Sequence, residues 1–505
     1  MLQFKRLALA AGLVAFTASA ALAADPVQLK VMSFNIWYGG DQVSFAKVVE
    51  AIRAADPDIV GLQETDGSLM RLSAETGLPY YDVRRNILSR FPLFDPALGE
   101  RQASGSGPYS MPALDVDAIA AYVLVAPGRV VAMANTHLTS DPYGPYAVRD
   151  GASPAEALAV EADTRLGEAQ LLADGLGPLI ASGMPVFLTG DFNSPSHHDW
   201  VQSAVGIVPS VKYPLEWPVS RLFADAGFAD SYRVVHPDPA ARPGATWTAG
   251  APAPIQRPDE VFDRIDWVLS AHATPLASQV VGEVGGPDVD LGVSPWPSDH
   301  RAVISTFEVV PVDAPALIAV EPTRIVGSSD FVIRANLPGF PTWSAYVVPR
   351  GGDATTDAIT GIGDVDMLDR PSVRLTGRAL KPGAYDAVLL DAGGVEQART
   401  QFTVVAADAE PRLWLDKAEY TVGETITVNW SGTMGERFEW LGTYPAGEPN
   451  VYNYLSFTYT GGHVDGSRTI TAEDYGDPLP AGDYELRLLR DDAYGLQALA
   501  TFTVR

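Results

Sequence analysis

The chain has 505 residues and no cysteine, and its 35 lysine and arginine residues are outnumbered by 62 aspartate and glutamate residues. Without cysteine there are no disulfide bonds and no lipid anchor on cysteine, but this length is sufficient for several domains with large hydrophobic cores. The formal net charge of −27 opposes long-range attraction to phosphate polymers. A nuclease is therefore disfavoured but not excluded, because a basic groove or a bound divalent cation reverses the local field.

The N-terminal segment has the pattern of a secretory signal peptide. Lys5 and Arg6 precede an apolar run at residues 7–16, and small residues at 21–23 form a cleavage site. The run is too short to cross a bilayer, and no later stretch reaches about 18 uninterrupted apolar residues. We expect a mature protein that begins near Ala24, has no transmembrane segment, and is secreted or periplasmic.

The first two predicted strands both end in a polar residue. Asn35 lies near the end of the apolar run at residues 31–37, and Glu64 ends the run at 58–64. Between them, apolar residues recur at helical spacing over 45–52. The pattern predicts a strand, a helix and a second strand.

A hairpin is predicted next. Apolar runs at residues 118–125 and 130–138 are separated by Pro127 and Gly128, a typical turn pair. This places His137 at the far end of the second strand of the hairpin.

The last elements of this region alternate between helix and strand. The spacing predicts a helix over 164–179, a buried strand over 185–191, an alternating strand over 262–269 and a final strand over 302–309. The region closes near residue 310. This order predicts an α/β fold in which sheets pack face to face and helices cover them on the outside.

Beyond residue 310 the chain changes to short β-rich runs with frequent glycine and proline turns. Residues 380–385 and 402–404 are repeated at 479–484 and 502–504, an offset of about 100 residues that suits one β-sandwich. We predict a signal peptide at 1–23, a catalytic domain at 24–310, and two Ig-like all-β sandwich modules at 311–407 and 408–505. The modules are interpreted as accessories that stabilise the enzyme, present substrate, or bind a surface or glycan.

The polar strand ends contain the residue types that phosphoester hydrolysis needs. That reaction requires neutralisation of the phosphoryl oxygens, an activated water and a proton for the leaving oxygen. Glu64 is the strongest candidate ligand for a hard cation such as Mg²⁺, and Asp299 is available to the same metal. Asn35 would assist the metal or bind a phosphate oxygen.

The remaining candidate residues would carry out the proton transfers and hold the phosphoryl oxygens. His300 is the candidate general base because its ordinary pKa lies near neutrality, and Asp266 would fix its tautomer. Asp191 and Asn193 lie two residues apart on extended chain and face the same side, so one would act as base or metal ligand while the other holds an oxygen. His137 would contact a phosphoryl oxygen or protonate the leaving group.

Each candidate also has an ordinary structural interpretation. Asn35 could cap a strand, Asp191 and Asn193 could form an Asx turn, and Asp266 could pair with Arg264. The recurrence of such residues at successive strand ends favours the functional interpretation.

Other features have weaker interpretations. Adjacent His197 and His198 are more typical of an exposed loop than of a metal site. The insertion at residues 140–163 could form a substrate wall, and Arg165 could bind phosphate or simply pack. Four loop tryptophans would either line a pocket or pack in the core: Trp200, Trp217, Trp247 and Trp296.

Taken together, residues 29–309 resemble the endonuclease/exonuclease/phosphatase superfamily, whose fold is that of pancreatic deoxyribonuclease. The matching motifs are Ser33-Phe-Asn35, Leu62-Gln-Glu64, Ile87-Leu-Ser-Arg-Phe-Pro92, Asn135-Thr-His137, Gly190-Asp-Phe-Asn193, Arg264-Ile-Asp266 and Ser298-Asp-His300. The resemblance implies a four-layer αββα sandwich, a divalent cation (usually Mg²⁺, with Mn²⁺ or Ca²⁺ as alternatives), and hydrolysis of a phosphodiester or phosphomonoester. It also implies the metal role of Glu64 and the pairing of Asp266 with His300.

The resemblance does not choose a substrate. No cluster of lysine and arginine with interleaved aromatic residues marks a nucleic-acid groove. We therefore expect an exported phosphoesterase that favours a small or lipid-borne phosphoester. Two alternatives stay open: a secreted nuclease that degrades DNA or RNA, and a surface-binding protein whose first domain is catalytically vestigial.

Overall fold

The computed structural model describes most of the chain after the N-terminal segment. The described residues are 25–83, 85–95, 119–248, 259–366, 372–435, 439–451, 453–460, 463–471, 478–490 and 494–505. The predicted signal peptide and its cleavage site lie outside the described residues. No helix among the described residues is long and apolar enough to span a membrane.

The first part of the chain alternates strands and helices, as its sequence predicts. The strands are β1 (Val27–Asn35), β2 (Ile59–Gln63), β3 (Tyr80–Asp82), β4 (Ile87–Ser89), β5 (Leu93–Phe94), β6 (Ala121–Ala126), β7 (Arg129–His137), β8 (Val186–Asp191), β9 (Ala229–Asp230), β10 (Asp266–Ala271), β11 (Ala273–Glu283), β12 (Val289–Val293), β13 (Ala302–Val309) and β14 (Val312–Asp313). The helices are α1 (Phe45–Ala55), α2 (Leu69–Thr76), α3 (Gly144–Arg149), α4 (Pro154–Glu161), α5 (Gly167–Ala181), α6 (Pro218–Asp225) and α7 (Ser231–Val235).

Two sheets pack face to face between two layers of helices. One sheet has the order β12-β11-β13-β1-β2-β4-β3, and the other has the order β5-β6-β7-β8-β10-β9 with β14 beside β7. Alternation along β1 shows why four layers form: Val31 points into the core between the sheets, whereas Met32 packs with α1 and α2. Helices α5 and α6 cover the outer face of the second sheet. The predicted αββα sandwich is confirmed.

Two boundaries differ from the sequence prediction. The strand predicted over 262–269 begins only at Asp266, because Asp263 instead forms an isolated bridge with Trp247. The helix predicted over 164–179 is α5, which is preceded by a π-helical turn at Ala162–Leu166 and therefore begins later.

The two sheets are joined by the half-buried side-chain amide of Asn135, near the ends of their strands. Nδ2 of Asn135 on β7 donates to the carbonyl oxygen of Leu62 on β2 at 2.7 Å, and Nε2 of Gln63 donates back to Oδ1 of Asn135 at 2.7 Å. Oγ1 of Thr189 donates to the same amide oxygen at 2.9 Å. These bonds fix the register between the sheets where their strands end.

The second part of the chain consists of two β-sandwiches with the same sheet order. The strands are β15 (Leu317–Glu321), β16 (Arg324–Val326), β17 (Asp330–Asn336), β18 (Thr342–Pro349), β19 (Thr360–Asp366), β20 (Ser372–Thr376), β21 (Gly383–Leu390), β22 (Glu396–Val405), β23 (Arg412–Leu415), β24 (Glu419–Tyr420), β25 (Ile426–Ser431), β26 (Trp440–Pro445), β27 (Ser456–Tyr459), β28 (Gly466–Ile470), β29 (Gly482–Leu489) and β30 (Leu496–Val504). Sheets β15-β17-β20 and β16-β22-β21-β18-β19 form the first module, and sheets β23-β25-β28 and β24-β30-β29-β26-β27 form the second.

The sequence repeat corresponds to one repeated contact. The Tyr385 ring stacks on Phe402 at 5.7 Å, and its hydroxyl donates to the carbonyl of Lys381. In the second module Tyr484 stacks on Phe502 at 5.5 Å, and its hydroxyl likewise donates to a carbonyl four residues earlier. The repeated motif therefore holds the same turn against the same strand in both sandwiches.

The modules pack on the first unit and on each other. Leu317 of β15 joins the core that contains Phe94, and the Arg334 guanidinium lies 4.8 Å from the centre of the Tyr80 ring. Arg324 of the first module donates to the carbonyl oxygen of Thr433 in the second at 2.8 Å. The predicted domain boundaries stay predictions, and strand β14, just beyond residue 310, pairs with β7 of the first unit.

Gly61 lies where the sheets approach closely, and it should tolerate no side chain. A Cβ there would lie 1.9 Å from Oγ1 of Thr189 and 2.4 Å from Oδ1 of Asn135. Gly61→Ala should therefore lower the free energy of unfolding by about 1–3 kcal/mol or more, measured by urea denaturation with tryptophan fluorescence. The matched control is Gly167→Ala at the start of α5, which has open space around it and should gain up to about 1 kcal/mol. Equal stability of Gly61→Ala and the wild type would contradict this tight packing.

Candidate active site

Strand topology gathers the predicted residues at one edge of the sandwich. Strands β1 and β2 are parallel, as are β7 and β8, so the carboxyl ends of each pair lie side by side. His137 lies opposite Asp191 in the second sheet, and Asp266 lies opposite Asp191 on its other side. These strand ends open into a cleft of about 570 Å³.

Asp191 is the buried carboxylate at the centre of the cleft. Its Oδ2 accepts a hydrogen bond from Nδ2 of Asn35 at 3.1 Å and lies 3.5 Å from Nε2 of both His137 and His300. Its Oδ1 accepts the backbone N–H of Asn193 at 3.0 Å. One carboxylate thus contacts the backbone two residues after it and side chains from three other segments of the chain.

His300 and Asp266 form the predicted pair. Nδ1 of His300 lies 3.0 Å from Oδ2 of Asp266, and both side chains are almost completely buried. The hydroxyl of Thr246 accepts the backbone N–H of Asp266 at 3.1 Å, and the Trp247 ring lies 4.7 Å from the His300 ring. The hydroxyl of Ser298 accepts the backbone N–H of His300 at 3.1 Å. The imidazole is therefore fixed in orientation, with Nε2 directed towards Asp191.

The surrounding charges favour the protonated form of His300. Burial alone would lower the pKa of His300, but the carboxylates of Asp266 and Asp191 outweigh it and hold the pKa well above the usual value of 6.5. Asp266 and Asp191 would therefore stabilise the imidazolium that forms when His300 accepts a proton.

Asn35 and Glu64 hold each other in place. Nδ2 of Asn35 donates to Oε1 of Glu64 at 2.9 Å, while Oδ1 of Asn35 accepts the backbone N–H of Trp37 at 3.1 Å. Oε2 of Glu64 accepts the backbone N–H of Tyr38 at 3.0 Å. Glu64 has a φ of 58°, a left-handed conformation that is costly for a residue other than glycine and is typical of functional sites.

Carboxylates are crowded around the predicted metal position. Burial raises the pKa of Asp299 to about 6 against the lowering effect of His300, and the carboxylate of Glu64 adds to the rise. Asp299, Glu64 and Asp191 all line the cleft. Such a group of hard oxygen donors, which repel one another when ionised, fits a divalent cation. The amide oxygen of Asn35 accepts the backbone N–H of Trp37, so in this conformation Asn35 contacts the carboxylates through its amide nitrogen.

Asp191 and Asn193 form the Asx turn that was expected as their ordinary structural role. The backbone N–H of Asn193 donates to the Asp191 carboxylate, and Nδ2 of Asn193 donates to the carbonyl oxygen of Leu138 at 2.9 Å. Asn193 is therefore held on both sides. It nevertheless lines the cleft, as does His137, whose side chain is 27% exposed.

The pairing of Asp266 with Arg264, the structural alternative for Asp266, is not the arrangement found. Arg264 instead forms ion pairs with Asp199 and Asp230, and its side chain is almost completely buried there. Asp266 pairs with His300 instead.

The predictions for loop residues had mixed outcomes. Trp247 lines the cleft, whereas Trp200 packs edge-on against Trp217 at 5.0 Å and Trp296 packs against Phe34. The prediction that His197 is exposed was wrong: its ring is buried and contacts the Ser220 hydroxyl, although His198 is exposed.

The insertion at residues 140–163 forms one side of the cleft through Ser140, Asp141, Tyr143 and Tyr146. Arg165 supports this side from behind, since it pairs with Glu161 at 2.9 Å and donates to backbone carbonyls of the insertion. Arg165 is therefore not available as a phosphate ligand.

Sequence reasoning missed three contributions to the cleft. Thr246 holds the backbone of Asp266, and Glu168 lines the cleft while accepting the Thr139 hydroxyl at 2.6 Å. Aromatic residues of the second β-sandwich module also line it. Of these three contributions, the aromatic residues are the most visible in the sequence, because they are frequent between residues 440 and 459. No nearby motif, however, indicates that this segment lies at the cleft.

Comparison with known proteins identifies the family. Residues 32–300, more than half of the chain, match the Endonuclease/Exonuclease/phosphatase family, so the chain belongs to this family. Its members are generally metal-dependent phosphoesterases or nucleases.

Three of the proteins similar to this chain come from three different organisms. An uncharacterised protein of Caenorhabditis elegans is 26% identical over 307 residues, which is 56% of this chain and 92% of that protein. An endonuclease/exonuclease/phosphatase from Beutenbergia cavernae is 19% identical, with 74% of this chain and 99% of that chain covered and a TM-score of 0.34. The catalytic domain of Xenopus laevis APE2 is 17% identical, with 57% and 94% covered and a TM-score of 0.34.

Replacement of Asp266 should lower the pKa of His300. In Asp266→Asn the nearest carboxylate is lost while the burial that opposes protonation is kept, so the imidazolium is less stable. The measurement is an NMR titration of the histidine rings in metal-free protein. The ion pair stabilises the fold below the histidine pKa of the unfolded chain and is lost as pH rises through the raised value, so Asp266→Asn should also reduce stability most at acidic pH.

Asp313→Asn is the control for this titration, because Asp313 is exposed and pairs with Arg129 at the start of β7. An unchanged pKa of His300 in Asp266→Asn would show that the two residues are not electrostatically paired.

Proposed function

We propose that the protein is an exported, divalent-metal-dependent phosphoesterase that hydrolyses a phosphodiester or phosphomonoester. The observation that carries this proposal is the buried pair of His300 and Asp266 beside Asp191, in the same cleft as Glu64 and Asp299. A general base with a fixed tautomer next to a group of hard oxygen donors is the arrangement that hydrolysis of a phosphoester requires.

Glu64 and Asp299 are the residues that would hold the cation, with Mg²⁺ as the first choice and Mn²⁺ or Ca²⁺ as alternatives. When bound, the cation neutralises charge on the phosphoryl oxygens. The ligand atoms of Asp191, Asp266 and His300 also lie within 4.8 Å of one another. Because Nδ1 of His300 already bonds to Asp266, we place the cation on the outer carboxylates instead.

The chain's own residues account for the proton transfers. His300 takes the proton of the attacking water at Nε2, and Asp266 stabilises the imidazolium that results. His137, at the open side of Asp191, contacts a phosphoryl oxygen or protonates the leaving group. Asn35 and Asn193 orient Asp191 and add no charge to an already acidic site.

The lining of the cleft supports a small or lipid-borne phosphoester over a polymer. Among the described lining residues there is no lysine or arginine, whereas carboxylates are numerous. A nucleic acid would bring further phosphates without cations to neutralise them. The intact pair of His300 and Asp266 disfavours a vestigial enzyme.

Export is proposed from the N-terminal pattern, with cleavage before Ala24. A secreted or periplasmic location also suits a chain without cysteine that tolerates any redox environment. The mass of the protein recovered outside the cytoplasm would test the cleavage position.

His300→Ala should abolish catalysis without unfolding the protein. Loss of the general base should reduce kcat by about 10²–10⁴-fold, while Mg²⁺ binding measured by calorimetry persists. Activity is measured on 4-nitrophenyl phosphate, bis(4-nitrophenyl) phosphate, sphingomyelin, inositol phosphates and plasmid DNA. His198→Ala is the matched control, because this histidine is exposed and does not line the cleft.

Glu64→Gln should weaken Mg²⁺ binding instead, because the carboxylate is lost while its hydrogen-bond partners can be kept. Chelation of the metal from the wild type should stop turnover, and Mg²⁺ should restore it. Full activity of His300→Ala would overturn the mechanism. Cleavage confined to plasmid DNA would replace the proposal with a nuclease.

A further inference from the structure

The second β-sandwich module folds back onto the active site. Trp440, Tyr454, Phe457, Tyr459 and Tyr494 of this module line the same cleft as His300 and Glu64. We call these five residues the aromatic wall. Arg490 lies four residues before Tyr494 in the sequence. Its guanidinium packs closely on Gly67, in the loop that follows Glu64, because a Cβ added to Gly67 would lie 2.4 Å from it. The wall is thus held over the cleft by contact with the catalytic unit.

The rings of the aromatic wall are packed at steep angles. Tyr454 and Tyr494 lie 5.4 Å and 5.6 Å from Trp440 with interplanar angles of 72° and 85°, and Phe457 lies 5.8 Å from Tyr454 at 79°. Edge-to-face packing of this kind orders the rings that border the cleft. Tyr454, Phe457 and Tyr494 are only partly buried.

The first module shows that a sandwich of this type does not need the aromatic wall. Pro445 and Tyr484 pair in the second module as Pro349 and Tyr385 pair in the first, which sets the alignment of the two sheets. In that alignment Trp440, opposite Leu489, takes the position of Ser344, opposite Leu390.

A second wall residue lies at a pair whose ring is on the other strand. Phe457 on β27 lies opposite Gly442, whereas in the first module Tyr346 on β18 lies opposite Gly361. The two modules therefore share one topology but differ at Trp440 and in the strand that carries the neighbouring ring, on the face that in the second module lines the cleft.

The negative charge of the cleft restricts the class of ligand that the aromatic wall can bind. The described lining includes the carboxylates of Glu64, Asp66, Asp141, Glu168, Asp191 and Asp299 and no lysine or arginine. A substrate with negative charges beyond the phosphoester itself would be repelled. A flat ring attached to the phosphate would gain contact with the wall without that cost.

On these grounds we propose that the aromatic wall is a specificity-determining subsite for the organic part of the substrate. It selects a singly charged phosphodiester that carries a ring on the ester group that is not displaced. This inference rests on the proposed function, because it assumes that the phosphate is bound beside His300 and Glu64. The second module would then complete the active site of the enzyme.

The test compares two diesters that differ only in the ring. Phenyl 4-nitrophenyl phosphate and methyl 4-nitrophenyl phosphate have the same charge and one 4-nitrophenolate leaving group each, and the second ester group is a ring or a methyl group. The wild type should prefer the ring ester in kcat/KM. Phe457→Ala and Tyr494→Ala should each reduce that preference by roughly fivefold to tenfold, mainly through KM, with the methyl ester unaffected.

Two further variants check the interpretation. Phe457→Tyr keeps a ring and should keep the preference. Trp414→Ala removes a half-exposed tryptophan of the same module that does not line the cleft, and it should change neither substrate. An equal preference in the wild type and the alanine variants would overturn the subsite.

Binding separates failure of the subsite from failure of the proposed function. Diphenyl phosphate and dimethyl phosphate are titrated into the Mg²⁺-loaded full-length protein by calorimetry. Tighter binding of diphenyl phosphate that weakens in Phe457→Ala supports the subsite even if no ester is turned over. Turnover of both esters with no difference between the two ligands or among the variants supports the phosphoesterase and overturns the subsite.

Discussion

The cleft depends on a single buried carboxylate, Asp191, and on the groups that make its burial tolerable. An isolated buried carboxylate would be strongly unfavourable, but Asp191 accepts hydrogen bonds from Asn35 and Asn193 and lies beside His137 and His300. Those partners come from both sheets. The close approach of the sheets is therefore a requirement of the proposed chemistry as well as of the core, because a wider spacing would separate Asn35 from Asp191.

The strand ends could be predicted because their signal is local. An apolar run that stops at a polar residue, as at Asn35, Glu64 and Asp191, fixes both the element and the edge at which its last side chain emerges. Asp266 lies beside His300 although its strand begins there and not at residue 262. Parallel pairing then brings such residues together without further information.

The supporting contacts could not be predicted, because they depend on distant segments. Arg264 and Asp266 are close in sequence and opposite in charge, yet Arg264 pairs with Asp199 and Asp230. Competition among three carboxylates is decided by packing and not by separation along the chain. The same holds for Thr246, whose hydroxyl receives the N–H of Asp266 from a loop whose sequence gives no sign of the contact.

The aromatic wall and the reacting groups belong to parts of the chain with different physical demands. His300 and Asp266 are held by buried hydrogen bonds within the first unit, so substitutions there would disturb both charge and packing. Phe457 and Tyr494 lie at the surface of a sandwich whose core is formed by other residues, including Tyr484 and Phe502. Ring size and polarity at the wall can therefore change without loss of the sandwich core. If the aromatic wall selects the substrate as proposed, the choice of substrate can vary while the geometry around Asp191 stays constant.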